Sequence, residues 1–277
     1  MIQDLSGNID YDECGVGPTI VMVPGSCSTG AAWKPVIAAL GVRFRCVTTS
    51  LLGYGGTAER RTANDQSISH EAEVVEEVIR KADQGVHLVG HSFGGLVALA
   101  VALRNHASLQ SLTVLEAPAA EILKGNEEQH YQTFRDMTED YFTAFQSGEA
   151  EAIKKMIDFY GGPGTFASWP PRVRAYAIET TPVNILDWAS AYGFPLSALT
   201  LASIDIPTLF CWGDQSQPAV QRANALLSDS IERSKQSTVH GAAHFMIATH
   251  AKEVAQLIAS HVAVAERNRG FKVLDRA

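Results

Sequence analysis

The sequence contains little cysteine, no long hydrophobic run and no excess of positive charge, and each absence argues against a class of protein. The 4 cysteines among 277 residues include no C-x-x-C pair and have no histidine cluster beside them, so neither a disulfide framework nor a zinc site is expected. No apolar run approaches the roughly 20 residues that a membrane-spanning helix needs. Lys and Arg number 22 against 30 Asp and Glu, for a net charge of -8. This balance disfavours nucleic acid as a partner.

The cysteines and the first residues predict where the protein resides. Cys14, Cys27, Cys46 and Cys211 are widely separated, a pattern typical of reduced thiols in the core of a cytoplasmic protein. Residues 1–7 lack the basic and apolar regions of a secretion signal. We therefore expect a cytoplasmic protein that does not contact a membrane and carries no metal ion.

Short apolar runs alternate with helical patterns in the first part of the chain. Hydrophobic residues make up 46% of the sequence, which is enough for a sizeable core. The patterns predict strands at 19–24, 44–51, 86–89 and 109–115, and helices at 31–40, 69–81 and 93–104. Because crossover helices join parallel strands, this alternation predicts an α/β fold with parallel strands.

The alternation stops at Ala117 and returns at Ile206. The intervening segment is predicted to hold helices at 127–146, 149–159, 171–179 and 185–198. After it, the patterns predict strands at 207–211 and 237–239, helices at 219–227 and 246–265, and ten frayed terminal residues. The sequence therefore predicts a core of residues 1–117 and 206–277 with an inserted helical lid at 118–205.

A glycine-rich turn, Gly90-His91-Ser92-Phe93-Gly94, joins a predicted strand to a predicted helix. It matches the pattern G-x-S-x-G in the strand–turn–helix context of a nucleophile elbow. Glycine is needed there because the turn is too tight for side chains beside the serine. The helix start places backbone N–H groups near the reacting oxygen. We therefore predict that Ser92 is a nucleophile.

Segments 23–26, 90–94 and 241–245 resemble the α/β-hydrolase fold family. The resemblance covers nearly the whole chain and implies a mostly parallel central sheet flanked by helices. In that family a histidine follows the last strand, and His244 occupies the matching position. The resemblance implies that His244 takes the proton of Ser92 and later returns it to the leaving group. Three other histidines are expected to be structural: His91, His240 and His250.

The acidic partner of the histidine departs from the commonest family pattern. Members of the family usually carry it in a G-x-x-D segment after a strand, but Ser216 occupies that slot here and Asp214 lies two residues early. Some branches instead place the acid at the end of the strand that follows the nucleophile helix, where this chain has Glu116. A carboxylate at the end of a buried strand is costly without a partner, and His244 would supply one. We predict Glu116, with Asp214 as the alternative.

The loop after the first apolar strand, residues 23–30, resembles the family segment that supplies one oxyanion-binding N–H group. Ser26 is the matching residue, with Pro24 replacing the usual histidine. The second donor would be the backbone N–H of Phe93, the residue after the nucleophile. Cys27 has no evident paired base and is expected to be a small core or pocket residue.

The inserted segment carries aromatic residues that are expected to form the lid and line its pocket: Tyr141, Phe145, Phe159, Tyr160, Trp169, Trp188 and Tyr192. These features predict a cofactor-independent serine hydrolase that acts on a small, partly hydrophobic carboxylic ester or related acyl compound through an acyl-enzyme on Ser92. A carboxylic ester is the expected bond, and a thioester, a lactone, an amide or a carbon–carbon bond beside a ketone stays open. Dehalogenase and epoxide hydrolase chemistry are disfavoured, because those relatives use Asp where this chain has Ser92.

Two other functions stay open at this point. One is a cofactor-free lyase or dioxygenase on the same fold, with His244 as the base that acts on the substrate. The other is a receptor that binds a small molecule with little turnover. A fold resemblance alone does not decide the substrate, and the sequence predicts no oligomeric state.

Overall fold

The computed structural model describes residues 1–4, 7–83 and 85–274. Its centre is a seven-stranded sheet with the order β3-β5-β4-β6-β7-β8-β9, in which only the edge strand β3 is antiparallel to its neighbour. A separate two-stranded sheet pairs β1 with β2. The strands are β1 (Ile2–Asp4), β2 (Gly7–Ile9), β3 (Asp12–Cys14), β4 (Thr19–Val23), β5 (Arg45–Thr48), β6 (Val86–His91), β7 (Leu109–Leu115), β8 (Thr208–Gly213) and β9 (Ser234–Val239).

Helices cover both faces of this sheet. They are α1 (Lys34–Leu40), α2 (Ile68–Lys81), α3 (Phe93–Arg104), α4 (Glu128–Gln146), α5 (Ile153–Gly161), α6 (Thr165–Ser168), α7 (Pro171–Glu179), α8 (Thr181–Tyr192), α9 (Ala198–Leu201), α10 (Pro218–Asp229), α11 (Met246–Thr249) and α12 (Ala251–Leu274). No helix in the described part of the chain is both long and apolar enough to cross a bilayer.

The central strands are buried on both sides, and successive residues enter different cores. Met22 and Val89 pack in one core with residues of α1 and α12. Val21 and Leu88 pack in the other core, with residues of α2 and α3. This two-sided burial explains why the strands appear in the sequence as continuous apolar runs, as strands of parallel sheets do. The predicted α/β fold, with a mostly parallel central sheet flanked by helices, is thereby confirmed.

The segment between β7 and β8 holds α4 to α9, and its helix α8 packs against α2 and α3. The helix predicted at 185–198 was placed too late in the chain, since α8 spans Thr181–Tyr192 and carries Pro182 in its first turn. Proline suits that position because the first N–H groups of a helix have no partner within it. The division of the chain into core and lid stays a prediction.

Two further expectations were wrong. The closing helix does not end at 265: it is interrupted at His250 and then continues to Leu274, so its backbone is helical over most of the residues expected to be frayed. Residues 275–277 lie outside the described part of the chain. Cys14 is exposed on the edge strand, whereas the other cysteines are buried as expected.

Candidate active site

Ser92 lies in the sharp turn between β6 and α3, at the carboxyl end of the sheet. Its φ of 54° is in the left-handed region, which a residue with a side chain adopts only when its surroundings impose it. The turn is held by the Ser92 N–H group, which donates to the Leu115 carbonyl at 2.8 Å. A Cβ on Gly94 would lie 2.3 Å from the Pro24 carbonyl oxygen, so only glycine fits at that position. The backbone therefore presents the Ser92 hydroxyl above the sheet.

Three predicted residues form a continuous chain of hydrogen bonds. The Ser92 hydroxyl lies 2.9 Å from Nε2 of His244, and Nδ1 of His244 lies 2.7 Å from a carboxylate oxygen of Glu116. His244 comes from the loop between β9 and α11, and Glu116 directly follows β7. Such an arrangement lets a hydroxyl proton move to the imidazole while the carboxylate fixes the orientation of the ring.

Glu116 is fully buried, and its second carboxylate oxygen also has partners. The Gly213 N–H group donates to Oε1 at 2.7 Å, and the Ser216 hydroxyl donates to the same oxygen. Burial by itself would raise the pKa of Glu116, but the hydrogen bonds and the charge interaction with His244, aided by the two other donors, hold it below its ordinary value. Its charged form is therefore favoured despite complete burial.

The alternative acid, Asp214, faces another histidine. Within the described residues, its carboxylate lies 2.6 Å from Nδ1 of the exposed His240 and accepts the Gly241 N–H group at 2.8 Å. Ser216, which occupies the family's usual acid slot, contacts Glu116 instead. Sequence reasoning noted this slot but did not predict that its serine would hold the carboxylate from the other position.

His91 and Tyr160 both pack against His244. The His91 ring lies 4.9 Å from the His244 ring, and its Nε2 is 2.8 Å from the His244 carbonyl oxygen. Burial, together with the nearby His244, lowers the pKa of His91 to about 3, so His91 is neutral and Nε2 donates to that carbonyl. The ring of Tyr160, on α5, lies 4.2 Å from the His244 ring. The inserted segment therefore reaches the imidazole directly.

The two predicted oxyanion donors lie on either side of Ser92, Ser26 on the loop after β4 and Phe93 at the start of α3. A Cβ on Gly25 would lie 2.7 Å from the Ser92 Cβ, so the backbone just before Ser26 passes close to the serine. Phe93 begins α3, and the first N–H groups of a helix have no acceptor within it. The side chain of Ser26 points to Asp187, donating to its carboxylate at 2.5 Å.

Sequence reasoning missed a buried charged cluster beside this loop. Asp187, on α8, accepts hydrogen bonds from the hydroxyls of Ser26 and Tyr54 and from the guanidinium of Arg61. Burial raises the pKa of Asp187, although Arg61 opposes that shift. No motif marks these residues, because Asp187 stands 161 positions after Ser26 in the chain.

A cavity of about 840 Å³ opens onto Ser92 and His244. Among the predicted lid aromatics, Tyr160, Trp169 and Trp188 line it. Of the other four, Tyr141 is buried in the hydrophobic core, and the remaining three are partly buried and pack against it: Phe145, Phe159 and Tyr192. Cys27 also lines the cavity, and burial raises the pKa of its thiol to about 12. At neutral pH Cys27 is therefore a thiol, a poor nucleophile.

Curated proteins are similar to this chain in sequence over part of their length. Pimeloyl-(acyl-carrier protein) methyl ester esterase of Vibrio vulnificus (strain CMCP6) is 31% identical over 148 residues, which are 51% of this chain and 55% of the esterase. Haloalkane dehalogenase 2 of Mycobacterium bovis (strain ATCC BAA-935 / AF2122/97) is 33% identical over 98 residues, 35% of this chain and 34% of the dehalogenase. The chain thus matches about half or less of the length of these curated relatives.

The fold is shared over a greater length. The solved structure of an esterase from Exiguobacterium antarcticum superimposes with a TM-score of 0.75 at 18% identity, covering 95% of this chain and 98% of the esterase. A family model described as alpha/beta hydrolase fold matches residues 18–251. This match includes the turn at Ser92, the end of β7 and the loop that carries His244. On these grounds the chain belongs to the alpha/beta hydrolase fold family.

Proposed function

We propose that the protein is a cofactor-independent serine hydrolase that cleaves a small, partly hydrophobic carboxylic ester. The observation that carries this proposal is the continuous hydrogen-bond chain from the Ser92 hydroxyl through His244 to Glu116. A serine hydroxyl is a weak nucleophile until a positioned base accepts its proton, and His244 lies within reach to do so.

The reaction has two halves. Ser92 Oγ attacks the carbonyl carbon of the ester while His244 takes the proton of the serine hydroxyl. The backbone N–H groups of Ser26 and Phe93 donate hydrogen bonds to the carbonyl oxygen, which stabilise the negative charge that develops there. His244 then gives the proton to the departing alcohol, which leaves an acyl group on Ser92. Water, deprotonated by His244, attacks that acyl group, and the acid departs as Ser92 recovers its proton. Glu116 holds the imidazole in the required orientation and stabilises its positive charge.

The cavity supports the choice of substrate. Its walls are largely apolar and include Tyr160, Trp169 and Trp188 from residues 118–205, which we assign to a lid over the site. Pockets of this kind bind a ligand mainly by burying apolar surface, with a few polar groups that fix its orientation. One of the relatives is an esterase whose name gives a methyl ester as its substrate, which supports a carboxylic ester as the bond that is cleaved. A small-molecule substrate and a cytoplasmic location complete the proposal.

The experiment that tests the proposal is intact-mass analysis after incubation with a fluorophosphonate. We expect one adduct on the wild-type protein and none on Ser92→Ala, because the reagent labels serines that an adjacent base activates. Hydrolysis of a panel of p-nitrophenyl esters should likewise be lost in Ser92→Ala. A folded wild-type protein that gives no adduct and hydrolyses no ester would contradict the proposal. Oxygen consumption, or turnover that survives Ser92→Ala, would instead support chemistry with His244 as the base on the substrate.

A further inference from the structure

Asp187 has hydrogen-bond donors on both of its carboxylate oxygens. Oδ2 accepts the Ser26 hydroxyl at 2.5 Å and the Tyr54 hydroxyl at 2.6 Å, while Oδ1 accepts Nη1 of Arg61 at 2.8 Å. The residue is only 1% exposed although it borders the cavity beside Ser92. A carboxylate that is buried and already paired in this way is suited to fixing its neighbours rather than to binding a substrate.

Arg61 holds the Asp187 carboxylate through Oδ1, the oxygen that Ser26 does not contact. Its side chain is fully buried and also lies 2.8 Å from a carboxylate oxygen of Glu59 and 3.2 Å from one of Glu71. The planar guanidinium donates in fixed directions, so these contacts define where Asp187 can sit. Asp187 is thus a rigid acceptor carried by α8.

The loop that contains Ser26 needs such an anchor. The next residue, Cys27, has a φ of 55°, in the left-handed region that residues with side chains rarely adopt. Within the loop, the Ser28 hydroxyl donates to the Gly25 carbonyl at 2.9 Å, which closes the turn on itself. The Ser26 side chain ties this strained turn to α8. Strained backbone persists where the surrounding structure imposes it.

We propose that Asp187 is a positioning residue that acts through the Ser26 hydroxyl to hold the Ser26 N–H group where the oxyanion forms. This inference rests on the proposed serine-hydrolase function. The Asp187–Ser26 hydrogen bond joins α8 to the loop of residues 23–30, here called the oxyanion loop. A displacement of α8 therefore also displaces a hydrogen-bond donor to the transition state. Asp187 takes no part in proton transfer and does not touch the reacting atoms.

The test uses Ser26→Ala, which removes only the hydroxyl and leaves the backbone N–H group in place. Asp187→Asn and the double variant accompany it, and Ser190→Ala is the matched control. The Ser190 hydroxyl also ties α8 to the rest of the chain, through the Gln66 carbonyl at 2.5 Å, but it does not contact the oxyanion loop. Each protein is assayed for kcat and KM on a p-nitrophenyl ester. Each is also assayed for affinity to an aryl trifluoromethyl ketone, whose carbonyl becomes an oxyanion when the serine hydroxyl adds to it.

We expect Ser26→Ala to lower kcat and ketone affinity in parallel by about 10- to 100-fold, with KM within about twofold of wild type. The double variant should have a kcat no lower than that of the less active single variant, because both changes disrupt the same Ser26–Asp187 hydrogen bond. Ser190→Ala should leave kcat and ketone affinity unchanged.

A Ser26→Ala protein that keeps wild-type ketone affinity, or that raises KM alone, would overturn the positioning role. This variant decides the question even if Asp187→Asn fails to fold. A wild-type protein that does not bind the ketone would overturn the hydrolase function itself, so the two failures are distinguishable.

Discussion

The two carboxylates that the sequence offers as the acid, Glu116 and Asp214, provide a direct test of how the site works. Glu116 lies 2.7 Å from His244 and is buried, whereas Asp214 lies 2.6 Å from the exposed His240. Glu116→Gln preserves size and removes the charge beside the imidazolium that forms when His244 accepts the serine proton. Asp214→Asn makes the same kind of change at the neighbouring position, so it is the matched control.

The structure gives the scale of the expected loss. Two unit charges separated by the 2.7 Å between His244 and Glu116 attract by about 6 kcal/mol at an effective dielectric constant of about 20. If that attraction is lost in the transition state, kcat falls by about four powers of ten. For Asp214→Asn we expect a change of less than about threefold, since exposed ion pairs contribute little.

The assay is steady-state hydrolysis of a p-nitrophenyl ester by the two variants and wild type, with urea unfolding to verify that each is folded. The rate of fluorophosphonate labelling provides a second readout that does not depend on the natural substrate. If Asp214→Asn loses more activity than Glu116→Gln, the assignment of Glu116 to His244 is wrong.

Three further predictions concern the surroundings of the site. Since the pKa of His91 is lowered to about 3, only the unfolded state takes up a proton there as pH falls below about 6.5. The contribution of neutral His91 to stability is thus present above that pH and lost below it. Urea unfolding should show wild type losing about 2 kcal/mol more than His91→Asn between pH 7 and pH 5, and equal losses would contradict this. Gly94→Ala should cost about 3 kcal/mol or more and abolish labelling, because the new methyl would meet the Pro24 carbonyl. Gly95→Ala, whose nearest contacts would be 3.2 Å, should be milder by urea unfolding. Ser216→Asp should lower kcat at least about tenfold, because it places a like charge beside Glu116. Adding Glu116→Ser to this variant should restore part of the lost kcat, since the carboxylate at position 216 would then be the acid that faces His244. No recovery of kcat would show that a carboxylate at position 216 does not reach His244.

Local patterns in the sequence were sufficient to predict the overall fold and to select two positions of the candidate site. Apolar runs alternating with helical patterns predict a parallel sheet, because burial on both faces removes polar residues from its strands. The turn Gly90–Gly94 predicts a nucleophile because a tight strand-to-helix turn needs glycine at fixed offsets from the serine. The loop before α11 points to His244 through its resemblance to the family segment that carries the histidine. Each of these signals spans only a few consecutive residues, so the sequence alone contains it.

Only the tertiary structure decided which side chains meet. Asp214 and Glu116 were both plausible partners of His244, and the packing of β7 beside β8 brings Glu116 to it. The same packing places Ser216, at the position where the family usually has the acid, so that its hydroxyl donates a hydrogen bond to Glu116. Asp187 reaches Ser26 because α8 folds back over the sheet from far along the chain. Contacts between distant residues depend on how whole elements pack, and short-range periodicity carries no record of that packing.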